Sequence, residues 1–184
     1  MTPQQIREVE DRATCLHDTQ EVESALDDMA AAISASLANE NPLLLCIMHG
    51  GLITSGRLAT RLRFPLQMDY LHATRYRGAT SGKDLEWKAF PSESLKGRTV
   101  LLVDDILDVG TTLKRIVDYC AEKGCEAVYT AVLLDKQHDR KEPGIKADFV
   151  GLEVADHYLY GYGMDYKGYL RNAEGIFAIA QQDM

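Results

Sequence analysis

Basic residues are scarce in this chain. Twenty Lys and Arg face 28 Asp and Glu over 184 residues, a net charge of −8. A general DNA or RNA binder needs a basic surface to neutralise phosphates, so the charge argues against that class. A local anion site is not, because a few oriented groups can oppose the net charge. Long apolar runs are also missing, and none approaches the ~20 residues that span a bilayer. Cysteine occurs only at positions 15, 46, 120 and 125. Cys120 and Cys125 lack CxxC spacing and no His/Cys cluster accompanies them. This argues against structural zinc and for a reduced, cytoplasmic setting. The opening MTPQQIREVEDRAT is acidic and polar, unlike a signal peptide. Repeats and linker-like stretches are absent. With 46% apolar and 26% charged residues, the composition is that of one globular domain.

What is present is an alternation of strand and helix signals. Val22, Leu26, Met29, Ile33 and Leu37 form one apolar stripe, so residues 21–39 read as a helix. An Asp18/Glu21 capping box opens it and Asn41-Pro42 stops it. Continuous apolar runs at 43–48 and 99–103 read as buried strands. Residues 66–74 and 127–134 read as further strands, and 52–62 as a helix. Leu113, Ile116, Val117 and Cys120 make another helical stripe, closed by Gly124. Residues 75–86 have no core pattern and read as a mobile surface loop, with 87–90 returning as a strand. Three short strands follow at 149–154, 158–162 and 176–180. This alternation predicts an α/β fold, a mainly parallel twisted sheet with helices on both faces. Ligands of such sheets bind beyond the carboxyl ends of the strands, which points to residues 49–51, 104–112, 135–140 and 155–165.

The most informative stretch is Val100-Leu-Leu-Val-Asp104-Asp105-Ile-Leu-Asp108-Val109-Gly110-Thr111-Thr112-Leu113. A hydrophobic strand delivers two adjacent carboxylates, a third follows, and a Gly-Thr-Thr turn opens a helix. Unpaired N–H groups and the dipole at a helix start favour an anion. Gly110 permits close backbone approach, and the Thr111 and Thr112 hydroxyls add donors. Adjacent acids suit sugar hydroxyls or a hydrated Mg²⁺, a hard cation that prefers oxygen. A simpler alternative has Asp108 capping the helix and Asp104-Asp105 solvated. A receiver-like phosphoacceptor is another. It would want a further acid pair near the first strand, which here ends in Met48-His49-Gly50-Gly51.

Residues 100–113 resemble the phosphoribosyl-pyrophosphate (PRPP) motif of type I phosphoribosyltransferases. The shared order is an aliphatic run, two acids, an aliphatic pair, Asp, a variable residue, Gly, a variable residue, Thr and an aliphatic. The resemblance extends from about residue 43 to 179 and is strongest to the hypoxanthine-guanine phosphoribosyltransferases of purine salvage. It implies one domain over 1–184, with a core at about 20–155. A base-binding hood would form from the N-terminal segment and about 156–184. It implies transfer of the 5-phosphoribosyl group of PRPP to hypoxanthine or guanine, giving IMP or GMP and pyrophosphate. Mg²⁺ is the implied cofactor, and a homodimer or homotetramer the implied assembly, with neither nucleic acid nor membrane as partner.

By the same resemblance, Asp108, Val109, Gly110, Thr111 and Thr112 cradle the 5′-phosphate, and Asp104 and Asp105 face the ribose hydroxyls and Mg²⁺. Asp108 is also the acid/base group near purine N7. His49, Gly50 and Gly51 match the pyrophosphate loop, with His49 where human-type relatives carry Lys; Gly-Gly alone would read as a tight turn. Arg171 and Arg140 meet pyrophosphate, and Asp165 binds a second Mg²⁺. Tyr76 belongs to a catalytic loop that excludes water. Lys136 donates to the purine 6-oxo group, Tyr158 stacks on the ring, and Leu159 offers backbone contacts to the base edge. Read without the resemblance, Lys136 is a surface charge and Tyr158 a packed strand aromatic. Three alternatives remain. The base could be xanthine. The protein could be a non-catalytic PRPP-sensing regulator, which the net charge disfavours. It could also be a paralogue with a dead site, against which the acids at 104, 105, 108 and 165 argue.

Overall fold

Apolar runs pair into one large sheet in the computed structural model, which describes residues 1–75 and 85–184, with the side chain of Arg75 left out. In chain order the elements are α1 (Pro3–Arg12), β1 (Thr14–His17), α2 (Thr19–Leu37), β2 (Leu43–Ile47), α3 (Gly51–Ala59), β3 (Gln67–Arg75) and β4 (Leu85–Ala89). There follow β5 (Thr99–Leu107), α4 (Thr111–Glu122), β6 (Ala127–Gln137), β7 (Phe149–Ala155), β8 (Leu159–Tyr160) and β9 (Ile176–Ala178), with a final 3₁₀ turn at Gln181–Asp183. The large sheet has the order β4-β3-β2-β5-β6-β7. Only β4 runs antiparallel to its neighbour; the other pairs are parallel.

Successive strand residues point to opposite faces, and both faces are covered. Leu44, Leu101, Val103, Ala131 and Leu133 pack with Leu26, Met29 and Ile33 of α2 and Leu58 of α3. Leu43, Leu45, Val100, Leu102 and Val132 pack on the other face with Leu113, Ile116 and Cys120 of α4. Each fully buried Leu or Ile contributes roughly 1.5–3 kcal/mol over exposure. The predicted capping box is present: Asp18 accepts from the Glu21 N–H at 2.9 Å, and Glu21 accepts from the Asp18 N–H at 3.0 Å. All four cysteines are free, Cys46 and Cys120 being buried. Among the described residues no helix is long and apolar enough to cross a membrane.

The connectivity locates a ligand crevice. From β2 the chain passes through α3 to β3, on one side. From the adjacent β5 it passes through α4 to β6, on the other. Neighbouring strands whose connections diverge leave a crevice at their carboxyl ends. Here it opens between Ile47 and Asp104. The register deepens it, because β2–β5 pairing ends at Cys46↔Val103 while β5–β6 pairing runs on to Leu107↔Asp135.

Several sequence boundaries move. The strand expected at 99–103 continues to Leu107, so Asp104 and Asp105 lie in β5 instead of after it. β6 supplies the ladder that holds these poor strand formers extended. For the same reason β6 runs past Leu134 and carries Lys136. Arg75, Leu85 and Glu86, expected in the loop, pair across β3 and β4. Neither α1 nor β1 was expected. Thr2 caps α1 in a box with Gln5, with a Pro early in the helix, a signal readable in Thr-Pro-Gln-Gln. β1 joins β9 and β8 in a small antiparallel sheet. Val9, Tyr160, Tyr166, Leu170 and Ile179 form a separate cluster there, so both ends of the chain build one layer.

Candidate active site

Two helix N-termini meet at the crevice. α3 begins at Gly51, immediately after the cis peptide Met48–His49. α4 begins at Thr111, after Gly110 at φ 86°, a left-handed conformation that glycine adopts without strain. No side chain caps α4, so Asp108 is not a helix cap and that simpler alternative fails. Both helices aim positive dipole ends at one space, the arrangement an anion requires. Thr111 and Thr112 divide there. Side chains rotate by about 100° per helical residue. Thr112 lines the crevice, whereas the Thr111 hydroxyl turns away to donate to Glu142 at 3.1 Å. The Thr111 hydroxyl is therefore engaged by Glu142 and does not, as expected, face the crevice.

The crevice encloses about 320 Å³, bordered by the 47–50 turn, His72, Asp104 to Asp108, Gly110, Thr112 and Arg171. Burial and the neighbouring Asp105 push the Asp104 carboxyl well above the usual range. Burial raises Asp105 as well, with Arg171 opposing. Two crowded carboxyl groups, Asp105 buried and Asp104 half-buried, with one nearby cation make a charge deficit that a cation would fill, and an all-oxygen donor set suits a hard one. Arg171 pairs with Asp165 at 2.5 Å and also donates to the Gly163 carbonyl. A Cβ on Gly50 would collide with the Asp105 carboxylate, and one on Gly163 with the Gly50 carbonyl. Glycine thus lets the 158–171 segment close onto the 48–51 turn. His49 and His72 meet edge to face, with ring centroids 4.4 Å apart. Burial, then His49, lowers the His72 imidazole.

A second cavity of about 180 Å³ is lined by Asp105, Ile106, Asp108, Lys136, Tyr158, Leu159, Met164 and Asp165. It shares Asp105, Ile106 and Asp108 with the first. Lys136 is only 8% exposed, so it is no solvated surface charge. Its Nζ lies 3.2 Å from Asp108 Oδ2 and 3.6 Å from Asp156 Oδ1. Burial alone would raise the Asp108 carboxyl, but hydrogen bonding from His138 and the Lys136 charge hold it below its usual value. Tyr158 is partly exposed, 5.7 Å from Tyr166 between ring centroids. Arg140 reaches Asp156 at 2.6 Å and stands 4.0 Å from Asp108, on the Lys136 side of β5. Tyr76 lies outside the described residues.

His72, His138 and Asp156 were not singled out by sequence. A signal existed for two of them: His138 and Arg140 alternate with Lys136 at the end of β6, and Asp156 directly follows β7. His72 sits mid-strand, where nothing local marks it.

The family model described as the phosphoribosyl transferase domain matches residues 13–167. The hypoxanthine-guanine phosphoribosyltransferase of Streptococcus pneumoniae (strain ATCC BAA-255 / R6) is 31% identical over 167 residues, 90% of this chain and 91% of the relative. A hypoxanthine phosphoribosyltransferase structure from Staphylococcus aureus superposes with a TM-score of 0.88 at 23% identity, covering 99% of this chain and 97% of the other. The Trypanosoma cruzi hypoxanthine phosphoribosyltransferase in complex with the product IMP gives a TM-score of 0.85 at 25% identity, covering 93% and 95%. The match spans the β5–α4 turn, the 48–51 turn and most of the 158–171 segment that closes onto the latter, and on this ground the chain belongs to the phosphoribosyltransferase family.

Proposed function

We propose that this site carries out purine salvage: the chain transfers the 5-phosphoribosyl group of PRPP to hypoxanthine or guanine, giving IMP or GMP and pyrophosphate. One observation carries the reading. The anion-suited crevice and the aromatic-rimmed cavity share the wall Asp105-Ile106 and Asp108. A sugar phosphate in one and a flat base in the other would bring C1′ and N9 together over that wall.

The backbone from Asp108 to Thr112 binds the 5′-phosphate at the start of α4. Asp104 and Asp105 take the ribose hydroxyls and face the positive charge that grows on the sugar as the bond to pyrophosphate breaks. Asp108 accepts or returns the N7 proton. Lys136 donates to the 6-oxo oxygen, which selects 6-oxopurines over adenine. Tyr158 stacks on the ring and Leu159 offers backbone contacts. His49, Gly50, Gly51 and Arg171 receive pyrophosphate; Arg140 joins them by leaving Asp156. Tyr76 excludes water. The small sheet serves as the hood over the base. Asp104, Asp105 and Asp165 fit Mg²⁺ by donor chemistry, and when bound the ion supplies charge neutralisation for the departing pyrophosphate. The working form is a cytoplasmic homodimer or homotetramer.

The test is nucleotide formation from PRPP and Mg²⁺ with hypoxanthine, guanine, xanthine or adenine offered singly. Turnover of hypoxanthine and guanine is expected. Adenine alone as substrate would overturn the role of Lys136, and xanthine alone would change the assigned base.

A further inference from the structure

We propose that His138 is the positioning residue for Asp108, fixing which carboxylate oxygen faces the purine. The inference rests on the reading above, in which Asp108 handles the N7 proton. β6 ends at Gln137, and strand alternation places His138 on the same side as Lys136. The His138 side chain is 5% exposed, with Nε2 2.7 Å from Asp108 Oδ1. Its other ring nitrogen, Nδ1, accepts the Arg140 backbone N–H at 3.1 Å. A backbone N–H only donates, so Nδ1 is the acceptor and the proton of the neutral ring sits on Nε2. The main chain thus sets the tautomer, and His138 donates to Asp108.

The two oxygens of Asp108 are thereby unequal. Oδ2 faces Lys136 at 3.2 Å, and Lys136 has a second partner in Asp156 at 3.6 Å, so Lys136 can move to a ligand. Oδ1 is tied to a buried ring held by the backbone. Oδ2 is the oxygen that Lys136 releases to N7. Without His138 the carboxylate can rotate about its Cβ–Cγ bond, and Arg140, already 4.0 Å from Oδ1, can draw it away. Asp108, His138 and Asp156 also lie close enough together to suggest a metal site. Lys136 and Arg140 already bring positive charge to these two carboxylates, which favours the positioning role.

Three substitutions test this: His138→Leu, His138→Asn and His138→Gln. Each is assayed with PRPP and hypoxanthine, alone and in an Asp108→Asn background. Gln can place an amide nitrogen where Nε2 stands; Asn, of similar polarity, stops short. Misplacing a reacting group by about 1 Å can lower a rate about 100-fold. His138→Leu and His138→Asn are therefore expected to lower kcat about 10- to 100-fold with little change in the KM for PRPP. His138→Gln is expected to restore most of kcat, and none of the three should lower kcat further in the Asp108→Asn background. Equal kcat for Asn and Gln, or an undiminished loss in that background, would overturn the proposal. The Asn/Gln comparison still decides the matter if the Leu variant does not fold. Wild-type protein inactive with every 6-oxopurine would overturn the underlying reading instead, so the two failures are distinguishable.

Discussion

The two flanks of β5 handle charge in opposite ways. Toward β2, Asp104 and Asp105 are crowded together and raised by burial, with Arg171 opposing. Toward β6, Asp108 lies among Lys136, His138 and Arg140 and is held ionised. All three acids fall within five residues of one segment. Their roles differ because neighbouring strands deliver cations to one flank and not to the other. The first flank has a deficit that a bound cation can fill; the second is balanced before any ligand arrives.

The sharpest way to break this contrast is Asp108→Asn. Removing the proposed acid/base group is expected to lower kcat by about 10²- to 10⁴-fold, while PRPP binding changes little; steady-state kinetics with separate PRPP titration checks it. Comparable loss of PRPP binding would mean that the balanced flank holds the phosphate instead. Next comes Tyr158→Ala, which removes the proposed stacking surface on the same flank. The KM for the base should rise up to about tenfold with the KM for PRPP unchanged. Equal shifts in both would erase the division into two sides.

On the deficit flank the expected sign is reversed. Asp104→Asn keeps an acceptor for the Asp105 N–H while removing a buried repulsion, so the ligand-free protein should gain about 1 kcal/mol at neutral pH and lose activity. The folded Asp104 carboxyl is raised, so wild-type stability falls as pH climbs from the unfolded carboxyl value through the folded one. The advantage of the variant should therefore vanish as the medium is acidified. Thermal melts across pH would show this, and a destabilised variant at neutral pH would refute the deficit.

The smallest effect concerns the brace that ties α2 to Tyr162 and to Arg61. Glu23 accepts from the Tyr162 hydroxyl at 2.6 Å and pairs with Arg61 at 2.6 Å. Burial pushes its carboxyl up, but these partners and Arg57 prevail and hold it below its usual value. Its contribution is complete above the unfolded value and lost as pH falls through the folded one. Glu23→Gln should cost about 0.5 kcal/mol at neutral pH and flatten the acid limb of the stability curve. An unchanged acid limb would assign the brace to Tyr162 packing alone.

Much of the fold was legible because its signals are local. The stripe Val22 to Leu37, the Asp18/Glu21 box and the apolar runs of β2 and β5 each form patterns within a few residues, and all appear as expected. The turn at Gly110 that opens α4 was readable for the same reason. The extension of β5 to Leu107 was not, since its acids are poor strand formers until β6 pairs with them. His138 was missed because only the β5–β6 register brings it to Asp108, 30 positions away.

By itself, then, the amino-acid order determined an α/β alternation, a Gly-Thr-Thr turn opening a helix and three aspartates at one strand end. Such features need only neighbours along the chain, through helical and strand periodicity and helix-terminal chemistry. Tertiary structure alone decided which aspartate is buried beside another and which is ringed by cations. Carboxyl ionisation depends on distances of a few ångströms to groups from other elements, and those distances follow from strand register and from the closure of 158–171 onto the 48–51 turn.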